Sequence, residues 1–508
     1  MWNSIRLTND MSIHQKQVAL AALQTFLNTP LHVTLDRHLT CVPQETAVAL
    51  FHSVASTVPA YREFLAGHAV NTAGIRTYDE FRRLPLMTKN DYVLAYPLGE
   101  RCRHGSLPEN EMIAVSSGST GNPVAWPRAS QHELDITTRF EHIFAQAFDA
   151  GSRSTLAVIC FALGTWVGGI YTANCCRYLS LKGYPVTLAT PGANKDEILR
   201  IINEIGTGFD QVVLLGYPPF IKDVIDIGYA QHIDWPRYHI KMVFAGEVFS
   251  EEWRDLICQR AGADNPHLDT AALYGTADAG VLANETPLSI TLRRFFSVNP
   301  RPARELFGES RLPSLLQYDP LSRYFETHED TLVVSGDNGV PLVRYHIADK
   351  GGIVAHKDML RFVHDHGIHL DKALLDQAGS QLPFVYVFGR ADFTVSYYGA
   401  NVYPENVTVG LEQPDIQQWI TGKFVLQAIE KSDGARTLRV TVELLPEITA
   451  DERKAGVIAD SIQRELLRLN SEFAHYVPSE FQTPDVKLKP TGDPEYFPIG
   501  IKHRYSRR

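Results

Sequence analysis

Residues 194–215 read NKDEILRIINEIGTGFDQVVLL, and this stretch contains an amphipathic helix followed by a buried strand. Asn194 is a favourable helix N-cap, and Asp196 and Glu197 place negative charge in the first helical turn, where the helix dipole favours it. Residues 211–215 then form an apolar run with the length of a strand. A helix that leads directly into a buried strand is typical of an α/β fold.

The same alternation continues along the middle of the chain. Residues 156–162, 241–245 and 268–273 are apolar strand candidates, and Ser250 is placed to begin a helix over residues 251–261. Strands separated by helices imply a parallel sheet with helices on both faces. We therefore predict an α/β fold whose large N-terminal domain is built on parallel sheets. Ligands of such sheets bind at the carboxyl ends of the strands.

The two ends of the chain differ from this middle part. Apolar residues recur at helical spacing over residues 12–27 and 45–54, so we predict a mostly helical lead-in over residues 1–100. After a strand candidate at residues 384–388, the chain continues as a smaller α+β unit with a long amphipathic helix over residues 451–469. The sequence thus predicts a second, smaller domain at the C-terminus.

Composition excludes several classes of protein. A chain of 508 residues with 44% hydrophobic content is too long for one compact core, which also indicates two or more domains. The net charge is −10 and no basic block is present, so we expect neither a nucleic-acid partner nor a membrane partner. The six cysteines form no Cys-x-x-Cys pair, and residues 1–10 carry no apolar signal segment. We therefore expect a cytoplasmic protein with reduced thiols.

A glycine- and hydroxyl-rich loop follows the apolar residues 112–115. Residues 116–123 read SSGSTGNP, in which two glycines let the backbone curl so that several N–H groups point into one concavity. Such a loop suits a polyphosphate, although it is neither a Walker A loop nor a nucleophile elbow. The candidate phosphate-binding residues are Ser116, Ser117, Gly118, Ser119, Thr120 and Gly121.

Further motifs follow this loop in a recognisable order. They are FAGE at 244–247, YGTAD at 274–278, RYHIAD at 344–349, GRAD at 389–392 and GANVYP at 399–404. Together with the loop, they resemble the motifs of the adenylate-forming superfamily in both order and spacing. Upstream, LPLMTKND at 84–91, followed by YPLG, resembles the phenylacetate–CoA ligase branch of that superfamily.

The resemblance assigns residues to the phosphates and the metal. The family usually has lysine where this chain has Asn122, so one phosphate-binding cation is missing, and Lys89 is a candidate replacement. Asp278 stands where the family places a glutamate ligand of Mg²⁺, and its carboxylate is also a hard oxygen ligand. Thr120 and Asp278 are the expected catalytic residues of the large domain. Capping a helix is the alternative, structural role for Asp278.

The resemblance also assigns the nucleoside site. Asp349 matches the family aspartate that accepts both ribose hydroxyls, and a carboxylate suits a vicinal diol because it offers two acceptor oxygens. Tyr274 is a candidate to stack on the base. The residues expected to bind the nucleoside are Gly246, Glu247, Tyr274, Gly275, Thr276, Asp349 and Arg390.

The resemblance implies a mobile C-terminal domain. Asp392 matches the family hinge, which divides the chain into a large domain over residues 1–391 and a small lid domain over residues 392–508. Gly399 matches the thiol channel that forms after the small domain turns. Lys502 is the expected adenylation lysine because the tail around it resembles the family's ending, and Lys489 is the alternative.

The substrate is expected to be a carboxylic acid. Trp166, Tyr217 and Phe244 are candidate walls of an acyl pocket, which favours an aryl or arylacetic acid, although filling the core is the alternative role for each of these rings. The implied cofactors are ATP, Mg²⁺ and coenzyme A. The acid would attack ATP to form an acyl-adenylate, and the thiol of coenzyme A would then displace AMP.

Two other functions remain open on the sequence. An amine or a carrier-protein thiol is an alternative acceptor of the acyl group. A non-catalytic nucleotide- or ligand-binding protein is the alternative from another class, because Asn122, Ala277 and the altered tail all depart from the family pattern. The sequence also leaves open whether the protein is a monomer or a homodimer.

Overall fold

The protein consists of a helical lead-in, a large mixed sheet flanked by helices, and a small C-terminal domain with its own sheet. The fold class predicted from the sequence is confirmed. The computed structural model describes residues 17–116, 124–165, 167–309, 311–377, 379–390, 395–398, 400–430, 436–470, 473–474, 477–498 and 505.

The described part of the lead-in, from residue 17 onwards, is mostly helical. Its helices are α1 (Gln17–Asn28), α2 (Leu31–Leu35), α3 (Pro43–Thr57), α4 (Pro59–Gly67) and α5 (Tyr78–Phe81). Pro43 and Pro59 begin α3 and α4, because the fixed φ of proline suits the first helical turn and its missing N–H costs no hydrogen bond there. Among the described helices, none is by itself long and apolar enough to cross a membrane, and Gln17–Asn28 and Leu31–Leu39 meet that test only as a pair bent by 112°.

The next part of the chain alternates strands and helices. Its elements are β1 (Met112–Val115), β2 (Ala125–Arg128), α6 (Ser130–Gln146), β3 (Thr155–Ile159), α7 (Gly169–Lys182), β4 (Val186–Ala189), α8 (Lys195–Ile205), β5 (Gln211–Gly216), α9 (Pro218–Ala230), β6 (Ile240–Ala245), α10 (Glu251–Ala261), α11 (Pro266–Asp269) and β7 (Thr270–Thr276). Strands β4, β3, β5, β6 and β7 pair in parallel in this spatial order. Asn194 and Ser250 cap α8 and α10 as predicted.

Two predicted strands have different bounds in the structure. The strand expected over residues 268–273 begins only at Thr270, because Asn265 caps the short helix α11 and holds residues 266–269 in helical conformation. The strand expected over residues 156–162 is β3, and it ends at Ile159.

The rest of the large sheet is antiparallel, so the sheet as a whole is mixed. The elements are β8 (Gly280–Asn284), α12 (Pro287–Val298), α13 (Pro300–Phe307), β9 (Ser314–Gln317), β10 (Tyr324–His328), β11 (Thr331–Gly336), β12 (Leu342–Val354), α14 (His356–Asp365), α15 (Lys372–Leu375) and β13 (Phe384–Arg390). The 11-stranded sheet has the order β10-β11-β12-β13-β9-β8-β7-β6-β5-β3-β4. A tight turn at residues 277–279 joins β7 to β8, and a turn of this length can only connect antiparallel strands.

Both faces of the parallel half are buried, as expected for strands between two layers of helices. Alternate residues of β5 point to opposite faces. Val213 and Leu215 belong to the core that includes residues of α6 and α7, whereas Val212 and Leu214 belong to the core that includes residues of α8, α9 and α10. The carboxyl ends of the strands are therefore the part of this half that remains available for ligands.

The small domain has its own sheet and core. Its elements are β14 (Val395–Tyr397), β15 (Ala400–Val402), α16 (Pro404–Leu411), β16 (Ile420–Glu430), β17 (Arg436–Leu444), α17 (Glu452–Leu469) and β18 (Asp485–Lys489). β16 and β17 are antiparallel, whereas β18 pairs in parallel with β17 and α17 provides the crossover between them. Asp451 caps α17, which matches the predicted amphipathic helix.

Candidate functional site

Motif residues that are distant in sequence follow neighbouring strand ends. Gly216 at the end of β5 is in register with Phe244 on β6, and Ala245 on β6 is in register with Leu273 on β7. Tyr217 and Gly246, which directly follow β5 and β6, therefore lie beside Tyr274 on β7. This edge is the position at which parallel α/β sheets bind ligands.

Gly246 and Tyr217 are in close contact at this edge. The φ of Gly246 is +86°, and a Cβ atom at this position would lie 2.6 Å from Cε1 of Tyr217. Only glycine therefore fits without strain. The Tyr217 ring also packs edge-on against Phe161, with 5.0 Å between the ring centroids. Burial raises the pKa of Tyr217, and the negative charge of Glu247 raises it further.

Phe244 does not lie with these residues, which corrects its assignment to the acyl pocket. It is fully buried, and its ring packs against Phe249 and Trp253 at centroid distances of 5.2 and 5.1 Å. The period of two along β6 places Phe244 with Met242 on the face covered by α9 and α10. Phe244 therefore fills the core, which is the alternative role that the sequence left open.

Asp349 and Tyr274 form a hydrogen-bonded pair. The Tyr274 hydroxyl donates to Oδ2 of Asp349 at 2.7 Å, and only 8% of Asp349 is exposed. The backbone of Asp349 on β12 is in register with Arg390 on β13, so the structure brings the two predicted ribose-side residues onto adjacent strands. The ring of Tyr274 lies parallel to Phe325 at 6.5 Å. Stacking of Tyr274 on a base stays a prediction.

Asp278 lies in the turn between β7 and β8 and not at the start of a helix. The Tyr345 hydroxyl donates to Oδ2 of Asp278 at 2.5 Å. Thr276 stabilises the turn by accepting a hydrogen bond from the backbone N–H of Ala279 at 3.0 Å. Gly275, next to Thr276 on β7, is exposed, so backbone is accessible beside the carboxylate.

A buried arginine adjoins this turn, and it was not identified from the sequence. Arg128, the last residue of β2, is 1% exposed and donates from Nη2 to the backbone carbonyl of Ala277. Within the described part of the chain, its Nε and Nη1 atoms have no hydrogen-bond partner. Burial lowers the pKa of Arg128, and the negative charge of Asp278 opposes this effect. The signal in the sequence was a charged residue at the end of an apolar strand that directly follows the glycine-rich loop.

These side chains fit a metal-bound triphosphate. Asp278 supplies a carboxylate, the ligand type that Mg²⁺ accepts together with phosphate oxygens and water. The unpartnered nitrogens of Arg128 place positive charge beside Asp278, which suits a nearby anion. Over the described residues, no group of three or more His, Cys, Asp or Glu side chains could hold a metal by itself. Binding through one carboxylate plus phosphate oxygens is the arrangement consistent with this composition.

The base of the glycine-rich loop is fixed by hydrogen bonds. Ser116 donates from its backbone N–H to Val124 O at 3.0 Å, and its hydroxyl accepts from the backbone N–H of Val124 at 2.9 Å. Val115 donates to Thr165 O at 2.8 Å, which joins the loop base to the segment after β3. Several predicted site residues lie outside the described residues, namely Ser117, Gly118, Ser119, Thr120, Gly121, Asn122, Trp166, Asp392, Gly399 and Lys502.

The upstream motif at residues 84–91 also reaches this region. Met87 donates to Arg344 O at 3.1 Å and accepts from the backbone N–H of His346 at 2.9 Å, so it brackets Tyr345 on β12. Thr88 caps the short helical segment over Lys89–Val93. The motif is therefore next to the tyrosine that holds Asp278.

Glu247 contacts the small domain. The hydroxyl of Tyr505, near the C-terminus, donates to Oε2 of Glu247 at 2.6 Å. Burial raises the pKa of Tyr505 well above its usual value, and the charge of Glu247 adds to this effect. No sequence signal linked two residues that are 258 positions apart.

Comparisons with known proteins agree with this architecture. No protein-family model and no curated protein sequence matches the chain. Among solved structures, a 2-hydroxyisobutyryl-CoA ligase in the postadenylation state, in complex with 2-HIB-AMP, is similar with a TM-score of 0.63 and 12% identity, covering 92% of this chain and 87% of that chain. The same ligase with 2-HIB-AMP and CoA in the thioesterification state is similar with a TM-score of 0.52 and 12% identity, covering 92% and 88%. This protein therefore shares the fold of that 2-hydroxyisobutyryl-CoA ligase.

Proposed function

We propose that this protein activates a carboxylic acid with MgATP and transfers the acyl group to coenzyme A. The observation that carries the proposal is the arrangement of Asp278, Asp349 and Glu247 at one edge of the sheet, in a fold shared with acid–CoA ligases. Adenylate formation needs a carboxylate for the metal, a carboxylate for the ribose and a loop suited to phosphates.

In the first half-reaction, a carboxylate oxygen of the acid attacks the α-phosphorus of ATP, and the bond to the pyrophosphate oxygen breaks. Residues 116–121 would hold the phosphates, with Thr120 among the donors. Asp278 would hold Mg²⁺ together with phosphate oxygens, and the bound ion would neutralise charge at the phosphates. Arg128 places positive charge behind the Asp278 turn, and we infer that it compensates in part for Asn122, which stands where the family has lysine.

The nucleoside side of the site follows from the hydrogen bonds already described. The carboxylate of Asp349 offers acceptors to the 2′ and 3′ hydroxyls, and Tyr274 orients that carboxylate through its 2.7 Å hydrogen bond. Arg390, whose backbone is in register with Asp349, is the proposed ribose-side arginine. Gly246 lets the Tyr217 ring pack directly against its backbone at this edge, because a side chain there would strike that ring.

In the second half-reaction, the thiolate sulfur attacks the acyl carbon and AMP leaves with the electron pair of the broken C–O bond. Asp392 as hinge and Gly399 as channel residue remain proposals for this step. The higher similarity to the postadenylation state, with a TM-score of 0.63 against 0.52, supports the interpretation that the small domain is in the adenylating arrangement.

Lys502 is the proposed adenylation lysine. It is three residues before Tyr505, whose hydroxyl bonds the adenine-side residue Glu247. Lys489, the alternative, pairs with Asp493 at 3.7 Å and lies over the ring of Tyr496 at 5.2 Å, both within the small domain. These contacts favour Lys502.

An aryl or arylacetic acid is the proposed substrate class. The edge-on pair of Phe161 and Tyr217 at the strand ends is the observation that supports a flat apolar group. Phe244 does not add to this aromatic pair, because it packs on the opposite face of the sheet.

Pyrophosphate exchange tests the proposal. The protein should catalyse acid-dependent exchange of pyrophosphate into ATP in the absence of coenzyme A, measured over a panel of aryl, arylacetic, long-chain and 2-hydroxy acids. No exchange with any acid would contradict adenylate formation and favour a binding protein. Preference for long-chain acids would contradict the aryl proposal. Consumption of coenzyme A, compared with consumption of amines or a carrier-protein thiol, then identifies the acceptor.

A further inference from the structure

The small domain is held against the large domain by polar contacts. Arg260 on α10 donates to Oε1 of Gln417 at 3.2 Å, and Lys423 on β16 lies 3.5 Å from Oδ2 of Asp223 on α9. These side chains are only partly buried, so their contribution to docking is modest. A charge-assisted hydrogen bond shielded from solvent would distinguish more strongly between different arrangements of the two domains.

Glu412 is a half-buried group at this interface, and its Oε1 atom is shielded from solvent. The hydroxyl of Ser250, the N-cap of α10, donates to Oε2 of Glu412. Burial, together with the negative charge of Glu252, raises the pKa of Glu412 to about 8, while the Ser250 hydrogen bond and the positive charges of Arg293 and Lys222 lower it. The docked arrangement therefore favours the protonated form of this carboxyl group.

Tyr505 is fixed to the small domain by two contacts. Its carbonyl oxygen accepts from the backbone N–H of Leu426 on β16 at 2.8 Å. Its ring packs against Phe424 on the same strand, with 5.1 Å between centroids. The position of the Tyr505 side chain is thus set by β16 and moves with the small domain.

The hydroxyl of Tyr505 is fixed to the large domain. It donates to Oε2 of Glu247 at 2.6 Å, a short, charge-assisted hydrogen bond. Glu247 directly follows Gly246, whose backbone lies at the ligand-binding edge of the sheet. Tyr505 therefore connects β16 to the loop after β6 through one side chain.

Chain length relates this contact to the tail. Lys502 is three residues before Tyr505, and three residues span at most about 11 Å when fully extended. Anchoring Tyr505 at Glu247 therefore limits how far Lys502 can be from the adenine-side loop. A lysine whose position is already restricted loses less conformational entropy when it reaches the reacting phosphate. The restriction therefore lowers the free-energy barrier of the step.

We propose that Tyr505 is a positioning residue for adenylate formation, which it supports by joining β16 of the small domain to Glu247 in this arrangement of the two domains. The inference rests on the proposed function for the identity of the reaction. Any turn of the small domain away from this arrangement must break the Tyr505–Glu247 hydrogen bond. The hydroxyl should therefore matter to the first half-reaction and not to the second.

The test compares Tyr505→Phe with Tyr229→Phe, a control at an exposed position on α9 where 70% of the side chain is accessible. Tyr505→Phe keeps the ring against Phe424 and removes only the hydroxyl. Loss of a hydrogen bond to a charged group should lower kcat of pyrophosphate exchange about 10- to 100-fold. Conversion of a supplied acyl-adenylate to thioester should stay within about twofold of the unmodified protein, as should both reactions of the control.

A second readout needs no substrate. Hydrogen–deuterium exchange of residues 246–250, which adjoin the interface, should be faster in Tyr505→Phe than in the unmodified protein and the control. If the unmodified protein showed no pyrophosphate exchange, the proposed function would be contradicted. Deuterium exchange would still test whether the Tyr505–Glu247 contact holds residues 246–250. Unchanged deuterium exchange, or equal loss of both half-reactions in a folded Tyr505→Phe protein, would overturn the positioning role.

Discussion

Replacing Asp349 by alanine tests the proposed nucleotide site at its most buried carboxylate. Asp349 is 8% exposed, and its Oδ2 atom accepts the Tyr274 hydroxyl at 2.7 Å. The variant removes both carboxylate oxygens. A nucleotide would then present its ribose hydroxyls to a position with no acceptor.

The size of the effect follows from the hydrogen bonds that are lost. A hydrogen bond to a charged group contributes about 1.5–3 kcal/mol, so ATP affinity should fall about 10- to 150-fold. The Tyr274 hydroxyl also loses this partner, which should cost about 1–3 kcal/mol of the free energy of unfolding. These two losses are separable, because the first is measured as a dissociation constant and the second as a shift in thermal unfolding.

Calorimetric titration with ATP and with 2′,3′-dideoxy-ATP provides the assay. The unmodified protein should prefer ATP, and Asp349→Ala should bind both nucleotides with similar, weaker affinity. Asp330→Ala is a matched control, since the Asp330 carboxylate is 82% exposed at the turn before β11 and should not affect either affinity. A folded Asp349→Ala protein that still prefers ATP over the dideoxy nucleotide would refute the ribose role.

The metal ligand, the buried cation, the interface carboxyl group and the tail lysine can be tested in the same assays. Asp278→Asn should abolish magnesium-dependent pyrophosphate exchange in a folded protein, and near-normal exchange at saturating Mg²⁺ would exclude the metal role. Arg128→Gln should lower the exchange rate at least about tenfold, because it removes positive charge beside Asp278; an unchanged rate would limit Arg128 to supporting the turn. Docking raises the pKa of Glu412 to about 8 from an ordinary value of 4.5, so the stabilisation of the docked domains by this group is complete below about pH 4.5 and lost as the pH rises through about 8. Deuterium exchange of residues 246–250 should therefore accelerate with pH in the unmodified protein and less so in Glu412→Gln, and identical pH profiles would contradict the linkage. Lys502→Ala should lose adenylation but still convert supplied acyl-adenylate, whereas Lys489→Ala should retain both steps; the opposite pattern would move the catalytic role to Lys489.

The domain interface also bears on how the two proposed half-reactions would be separated. Tyr505 and Glu412 both bridge the domains through side-chain hydrogen bonds, and neither contact would survive the proposed rotation of the small domain. Breaking such contacts has a free-energy cost that must be offset in the second arrangement. Substitutions that weaken them are therefore expected to change the balance between the half-reactions more than the stability of either domain.

Local signals account for the parts of the fold that were predicted correctly. Helix α8 begins and ends where the Asn194 cap and the apolar period place it, because capping and amphipathic packing act within a few residues. Strands β5 and β6 and helix α17 were found for the same reason. The motifs at residues 274–278 and 344–349 likewise follow from residue type and order, and the structure brings them together through the Tyr274–Asp349 and Tyr345–Asp278 hydrogen bonds.

Other features depend on contacts between distant parts of the chain, which no local pattern contains. The antiparallel half of the sheet arises because β8 turns back on β7, and the apolar character of a strand does not reveal the direction of its neighbour. The burial of Phe244 on the α9–α10 face depends on which face of β6 those helices cover. Arg128 and Tyr505 were missed because their partners, Ala277 and Glu247, are 149 and 258 residues away. Sequence therefore determines the elements and the chemical groups they carry, whereas tertiary packing decides which of those groups meet, since a hydrogen bond forms only between atoms that the whole fold brings within about 3 Å.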